Sequence, residues 1–130
     1  MIDLEFRMVK GLPVVSLTLE YGKRSIELDN VLLDTGSSNT IIDADIANQI
    51  GIEINPVYGK AKRMYGVGGE SELCYEQIVS GFKMGTRYID SFMLQLGVTK
   101  DTYGFDGILG ADYLLKYHCV IDFDRFMVIP

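Results

Sequence analysis

Cysteine and histidine are scarce in this sequence, which has two cysteines and one histidine in 130 residues. Two cysteines are too few for a disulfide framework, and a single histidine without a Cys-x-x-Cys pair argues against a zinc site. We therefore expect no metal site and a reduced, cytoplasmic setting.

Long apolar runs and an excess of positive charge are also missing. No apolar stretch approaches the ~20 residues that a membrane-spanning helix needs. Acidic residues outnumber basic ones by 18 to 12, giving a net charge of −6, which argues against binding to nucleic acid or to an anionic membrane. The acidic, alternating start of the sequence does not suit a secretory signal.

Apolar material is plentiful, at 48% of residues, and charged residues make up 23%. This balance predicts a folded chain, and the length suits one globular domain covering residues 1–130. Fourteen glycines separate short apolar runs, which predicts an all-β fold with one or two short helices.

Alternating and continuous apolar runs give the expected element boundaries. The expected strands cover residues 2–9, 15–21, 25–28, 31–33, 40–42, 57–65, 70–79, two segments within 82–96, 106–110, 119–123 and 126–129. The expected helices cover residues 44–49, capped by Asp43, and 111–117, whereas residues 97–105 are expected to form a loop.

A polar loop, residues 34–39, interrupts two strongly apolar strands. A carboxylate on such a tight loop is held rigidly and is partly desolvated. Thr35 and Ser37 bring hydroxyl groups beside Asp34, and Gly36 allows a close backbone approach. Taken alone, these residues fit a structural Asx-type turn as well as a chemically active carboxylate.

The loop sequence Asp-Thr-Gly-Ser-Ser-Asn, residues 34–39, resembles the active-site loop of the aspartic proteases, where Asp-Thr-Gly follows an apolar strand. It is most similar to the loop of the two-lobed, pepsin-like enzymes, since retroviral enzymes usually carry alanine at the position of Ser37. The resemblance implies that Asp34 is catalytic and that Thr35, Gly36 and Ser37 support the loop.

Residues 107–114, Gly-Ile-Leu-Gly-Ala-Asp-Tyr-Leu, resemble the second signature of this family. Their separation from Asp34 suits the single-lobed, retroviral-type members, in which this strand packs beside the catalytic loop. We interpret Asp112 as structural, because a carboxylate is favourable near a helix N-terminus; a catalytic role is the alternative. The resemblance implies a structural role for Ile108, Leu109 and Gly110.

A glycine-rich hairpin tip, at residues 64–69, resembles the flap of the same family. A tip rich in glycine can change its backbone dihedrals and close over a ligand; an ordinary hairpin turn is the alternative. The flap residues would be Tyr65, Gly66, Val67, Gly68 and Gly69, with Tyr65 and Val67 contacting an extended peptide substrate.

The chain contains one Asp-Thr-Gly, whereas aspartic proteolysis needs two carboxylates that share a proton. The resemblance therefore implies a homodimer in which Asp34 of both subunits meets on a two-fold axis. Thr35 would reach across to the partner loop, and residues 2–8 and 126–129 are candidates for a small inter-subunit sheet.

The resulting interpretation is a single-lobed, closed-barrel-like acid protease fold acting as a homodimeric aspartic endopeptidase, with water as nucleophile and no cofactor. A Ser37 hydroxyl donating to the Asp34 carboxylate would favour its charged form, which predicts an acidic to mildly acidic optimum. The alternative is a non-catalytic dimerisation or peptide-binding module on the same scaffold. That alternative is favoured by the lack of a recognisable pro-segment.

Three further residues are interpreted as structural. His118 has no serine or cysteine nucleophile motif beside it, so we expect a packed or partly exposed side chain. Cys74 and Cys119 are expected to be buried thiols, with a redox-controlled dimer as the alternative.

Overall fold

The computed structural model describes residues 4–65, 69 and 71–130, and within these residues ten strands form one sheet accompanied by three short helices. The strands are β1 Leu4–Val9, β2 Leu12–Tyr21, β3 Arg24–Leu33, β4 Ile41–Asp43, β5 Lys60–Tyr65, β6 Ser71–Met84, β7 Arg87–Gly97, β8 Gly107–Leu109, β9 Val120–Asp122 and β10 Met127–Ile129. The helices are α1 Ala44–Gln49, α2 Lys100–Tyr103 and α3 Ala111–Lys116.

The sheet closes on itself. Its strands follow the order β5-β6-β7-β4-β8-β3-β2-β1-β10-β9, and β6 also pairs with β2, from Leu19↔Met84 to Tyr21↔Phe82. This extra pairing joins β6, β7, β4, β8, β3 and β2 into a ring, and ring closure removes the free edges of those strands. The expectation of an all-β, closed-barrel-like fold is confirmed.

The alternation along the second half of β2 explains how the ring is filled. Leu17 and Leu19 are buried, whereas Ser16 and Thr18 between them are exposed. Equivalent positions on the other strands point inward, and each fully buried aliphatic side chain contributes about 1.5–3 kcal/mol. The interior is therefore a packed core rather than a channel.

The strand β8 lies between two strands that flank the polar loop. It runs parallel to β3, with Leu33 opposite Leu109, and antiparallel to β4, with Ile41 opposite Ile108. After β3, on one side of β8, residues 34–40 cross over the end of β8. The chain then continues as β4 on the other side of β8. This crossing fixes where the loop sits.

Several predicted boundaries are wrong. The strand β3 runs without a break from Arg24 to Leu33, where two strands were expected. The strand β6 continues from Ser71 to Met84, where a break was expected at residues 80–81. Gly81 adopts a φ of 68° within the strand, and pairing continues on both sides of it. Residues 56–58 form a turn, since the Asn55 side chain accepts hydrogen bonds from the amides of Val57 and Tyr58 at 2.9 and 3.0 Å. The expected 97–105 loop contains α2.

The terminal strands also differ from expectation. The strand β1 pairs with β10 of the same chain, with Leu4 opposite Val128, and with β2 on its other edge. The Phe6 ring packs edge-to-face on Phe123 and Phe126, with centroids 5.3 and 5.6 Å apart. The predicted pairing of these termini between subunits is therefore wrong for this chain, whose termini pair within one molecule. None of the described helices has the length and hydrophobicity to cross a membrane.

Candidate active site

Asp34 follows the last residue of β3 and begins the crossing loop. Its backbone N–H donates to the carbonyl of Leu109 at 2.9 Å, which joins the loop to β8. The N–H of Gly36 donates to Asp34 Oδ1 at 2.9 Å, and the N–H of Ser37 donates to the Asp34 carbonyl at 3.2 Å. The carboxylate is therefore oriented by its own loop.

Gly110, at the junction of β8 and α3, allows the loop to pass close to the strand. A Cβ atom at this position would lie 2.4 Å from the carbonyl oxygen of Asn39 and 2.9 Å from that of Ser37. The next residue, Ala111, donates its N–H to the Ser37 carbonyl at 2.7 Å. Only glycine fits here, because any side chain would push the loop away.

Asp112 and Thr40 close the loop at its far end. Thr40 is fully buried, and its hydroxyl donates to Asp112 Oδ1 at 2.7 Å while accepting from the Gly110 N–H at 3.1 Å. The Thr40 N–H donates to Asp112 Oδ2 at 3.0 Å, and the Tyr113 N–H donates to Oδ1 at 2.8 Å. Sequence reasoning missed Thr40, whose only local signal is a hydroxyl residue at the start of an apolar strand.

Ser37 does not donate to the Asp34 carboxylate. Its hydroxyl donates to the carbonyl of Asn39 at 2.8 Å, so the predicted Ser37–Asp34 hydrogen bond is wrong. Serine hydroxyls in tight turns often bond to a nearby backbone group in this way. Thr35 and Gly36 are exposed beside it.

A cleft of about 390 Å³ opens above the loop. Asp34, Gly36 and Ser37 contribute to its lining, together with Ile108 of β8. Leu32, Ser38 and Ile41 also line it. Other lining residues come from the β5–β6 hairpin and from the segment around α2, and they include Met64, Tyr65, Glu72, Cys74, Val98 and Tyr103. Polar groups of the loop thus face a mostly apolar enclosure, which is the usual character of a ligand site.

The β5–β6 hairpin carries the predicted flap. Tyr65, opposite Ser71, is 73% exposed and lines the cleft, and Gly69 has a φ of 85°. Gly66, Val67 and Gly68 lie outside the described residues. The arms of the hairpin therefore stand over the loop that bears Asp34.

Cys74 of β6 is 3% exposed, as expected for a buried thiol, and it lines the cleft. Burial raises the pKa of the Cys74 thiol, and the nearby carboxylate of Glu72 raises it further. Cys119 is half-buried, so the expectation of a buried thiol is wrong there, and neither cysteine is in a disulfide. His118 is exposed and follows α3, outside the cleft lining.

Asp43 positions α2 beside the cleft. Its Oδ2 accepts from the Ile46 N–H at 3.4 Å, which is the predicted cap of α1. Its Oδ1 also accepts from the N–H groups of Thr99 and Lys100 at 3.1 and 2.9 Å. This second role, invisible in the local sequence, fixes the start of α2 and hence Tyr103.

Comparison with known proteins supports the same architecture. A family model described as "Aspartyl protease" matches residues 15–113. The structure of a retropepsin-like aspartic protease from Rickettsia conorii is similar, with a TM-score of 0.65 and 15% identity over 96% of this chain and 86% of that one. The retroviral protease-like domain of Ddi1 from Leishmania major gives a TM-score of 0.50 and 16% identity over 90% of this chain and 94% of that one. None of the curated proteins matches this sequence.

Proposed function

This chain belongs to the aspartyl protease family, and from that premise we propose that it is an aspartic endopeptidase. In this proposal Asp34 activates a water molecule that attacks a peptide carbonyl. The substrate is an extended peptide lying between the loop and the β5–β6 hairpin, hydrogen-bonded through its backbone like an added strand. No cofactor takes part.

The observation that carries the proposal is the state of the Asp34 carboxylate. It lines the cleft and is half-buried, and one described donor, the Gly36 N–H, reaches it. A carboxylate offers about four lone-pair sites, so Asp34 retains capacity to bind a water or a substrate group. Its loop is at the same time fixed by Leu109, Gly110 and Thr40, which supplies the rigid positioning that catalysis requires.

A second carboxylate must come from a second copy of the chain, because the sequence holds one Asp-Thr-Gly. Two carboxylates about 3 Å apart share one proton and titrate as a pair. The ionised member takes a proton from the attacking water, and the protonated member donates to the carbonyl oxygen. The exposed side chain of Thr35 next to Asp34 suits contact with the partner loop across a two-fold axis.

The decisive experiment compares cleavage of a mixed peptide library by the wild type and by Asp34→Asn over a range of protein concentrations. We expect specific activity that rises with concentration, since the dyad forms only in the dimer, and that disappears in the variant. Asp124→Asn is the matched control, because it removes an exposed carboxylate from the turn between β9 and β10.

Absence of cleavage by folded wild-type protein at every concentration would contradict the proposal. Activity that survives in Asp34→Asn would do the same. The first result would favour the non-catalytic dimerisation or peptide-binding module on the same scaffold.

A further inference from the structure

A second carboxylate, that of Glu72, lines the same cleft as Asp34. Glu72 is half-buried on β6, opposite Met64 of β5, so it belongs to the arm of the hairpin that stands over the loop. The hydroxyl of Tyr103 donates to Glu72 Oε1 at 3.4 Å. This contact places the carboxylate against α2, at the side of the cleft.

The described lining of the cleft includes no lysine, arginine or histidine that could neutralise Glu72. Two nearby cations of the same hairpin have other partners. Lys62 Nζ lies 3.2 Å from Glu76 Oε2, and Arg63 Nη1 donates to Ser71 Oγ at 3.1 Å. Among the salt bridges of the described residues, none involves Glu72. The cleft thus carries two carboxylates and no described compensating cation.

The electrostatic effect of Glu72 reaches into the cleft. Its carboxylate raises the pKa of the Cys74 thiol, which lies two residues along the same strand and also lines the cleft. Charge interactions are stronger in such a partly desolvated enclosure than in bulk water. A cation entering the cleft would therefore be attracted by Glu72.

Apolar side chains share the cleft with this carboxylate. Met64, Val98 and Phe105 line the cleft with it. A ligand group that matches both features has a long apolar stem and a cationic head, as lysine and arginine have. The aliphatic stem would pack on the apolar lining, and the head would donate a charge-assisted hydrogen bond to the carboxylate.

We propose that Glu72 is a specificity-determining residue that selects a lysine or arginine side chain of the substrate peptide. This inference rests on the proposed protease function. In a symmetric dimer each protomer supplies one Glu72, so the basic side chain is selected at two positions, one on each side of the scissile bond.

The test uses synthetic decapeptides that contain a cleaved bond found with the library and that differ at one position at a time. Each position carries lysine, arginine, norleucine, glutamine or glutamate. We expect kcat/KM to be about 10-fold higher for lysine or arginine than for norleucine at the selected positions. A factor of this size corresponds to one charge-assisted hydrogen bond. In Glu72→Gln this ratio should fall to about one.

Glu27→Gln is the matched control, because it removes an exposed carboxylate from β3 that lies outside the cleft lining. It should keep the wild-type preference. Glu72→Lys should reverse the preference toward glutamate. Thermal unfolding of each variant verifies that it is folded.

A wild type that cleaves without preferring a basic residue would overturn the inference while leaving the proposed function intact. A preference that persists in Glu72→Gln would also overturn it. If the wild type cleaves nothing, the proposed function fails. Fluorescence anisotropy of the wild type with library decapeptides that differ only in carrying lysine or norleucine at one position then decides the matter. Tighter binding of the lysine peptide than of the norleucine peptide would support selection by Glu72, and equal or absent binding would overturn it.

Discussion

Asp34 and Asp112 lie in the two family motifs of one molecule, and both are half-buried. They differ in their hydrogen bonds. Asp112 accepts from the N–H and hydroxyl of Thr40 and from the N–H of Tyr113, whereas the Gly36 N–H is the one described donor to the Asp34 carboxylate. Burial therefore does not separate a structural carboxylate from one available for chemistry, and the number of donors does.

Two other aspartates belong with Asp112. Asp43 accepts from the amides at the starts of α1 and α2, and Asp106 Oδ2 accepts from the N–H groups of Asp29 and Asn30, both at 3.1 Å. Each of these carboxylates joins segments that are distant in sequence. We infer that these carboxylates stabilise the part of the fold that positions the Asp34 loop.

The largest expected effect comes from Asp34→Asn, which tests whether Asp34 has a different role from Asp112. Asp34→Asn should lower kcat/KM by at least about 10³-fold, since it removes the proposed acid–base group, and should change the unfolding free energy by less than about 0.5 kcal/mol. Peptide cleavage and urea unfolding measure the two effects. A large loss of stability in this variant would mean that Asp34 is as structural as Asp112.

Gly110→Ala should give the next largest effect. The backbone of Gly110 has a φ of −95°, which any residue adopts, so the cost comes from the clash with the Asn39 and Ser37 carbonyls. We expect a loss of about 3 kcal/mol or more in unfolding free energy. Gly22→Ala is the control: Gly22 has a φ of 61° with nothing near its missing Cβ, so alanine there should cost about 1–2 kcal/mol. Equal losses would refute the steric explanation.

Asp112→Asn should destabilise the chain by about 1–3 kcal/mol, because an amide cannot accept from all three donors. Activity should fall together with stability, since the loop end at Thr40 is released. A double-mutant cycle with Thr40→Val, followed by urea unfolding, should give a coupling energy above about 0.5 kcal/mol. Additive effects would show that the two side chains act independently.

The smallest effect concerns the thiol of Cys74, whose pKa is raised by burial and by Glu72. A thiol with a raised folded-state pKa stabilises the fold at pH values below its ordinary pKa, and this contribution is lost as pH rises through the folded value. We therefore expect Cys74 to react with a thiol reagent more slowly than Cys119 at pH 8, and faster in Glu72→Gln. Faster labelling of Cys74 in the wild type would contradict an enclosed, anionic cleft.

The sequence predicted the elements whose signals are local. The helix α1 with its Asp43 cap and the order of β8 and α3 follow from a capping residue and a short apolar run. The same local signals predicted the packed thiol of Cys74. These features need no knowledge of distant partners.

Features that depend on distant partners were not predictable. The helix α2 has no side-chain cap of its own. It is fixed by Asp43, which lies 56 residues before Thr99 in the sequence. Thr40 bonds to Asp112, 72 residues away, and this pairing has no trace in composition or periodicity. The Ser37 hydrogen bond was mispredicted because the loop sequence offers several acceptors, and the one that is used depends on the backbone path of the loop.

The pairing of β1 with β10 has a consequence for how the protein is made. A ribosome releases Leu4 long before Val128, its partner in the finished sheet. At about 5–20 residues per second, the first strand waits on the order of ten seconds for the last one. Contacts of such high contact order form slowly even in the complete chain. Newly synthesised β1 therefore exposes the strand edge that β10 later covers, and this edge stays unpaired until β10 has been synthesised.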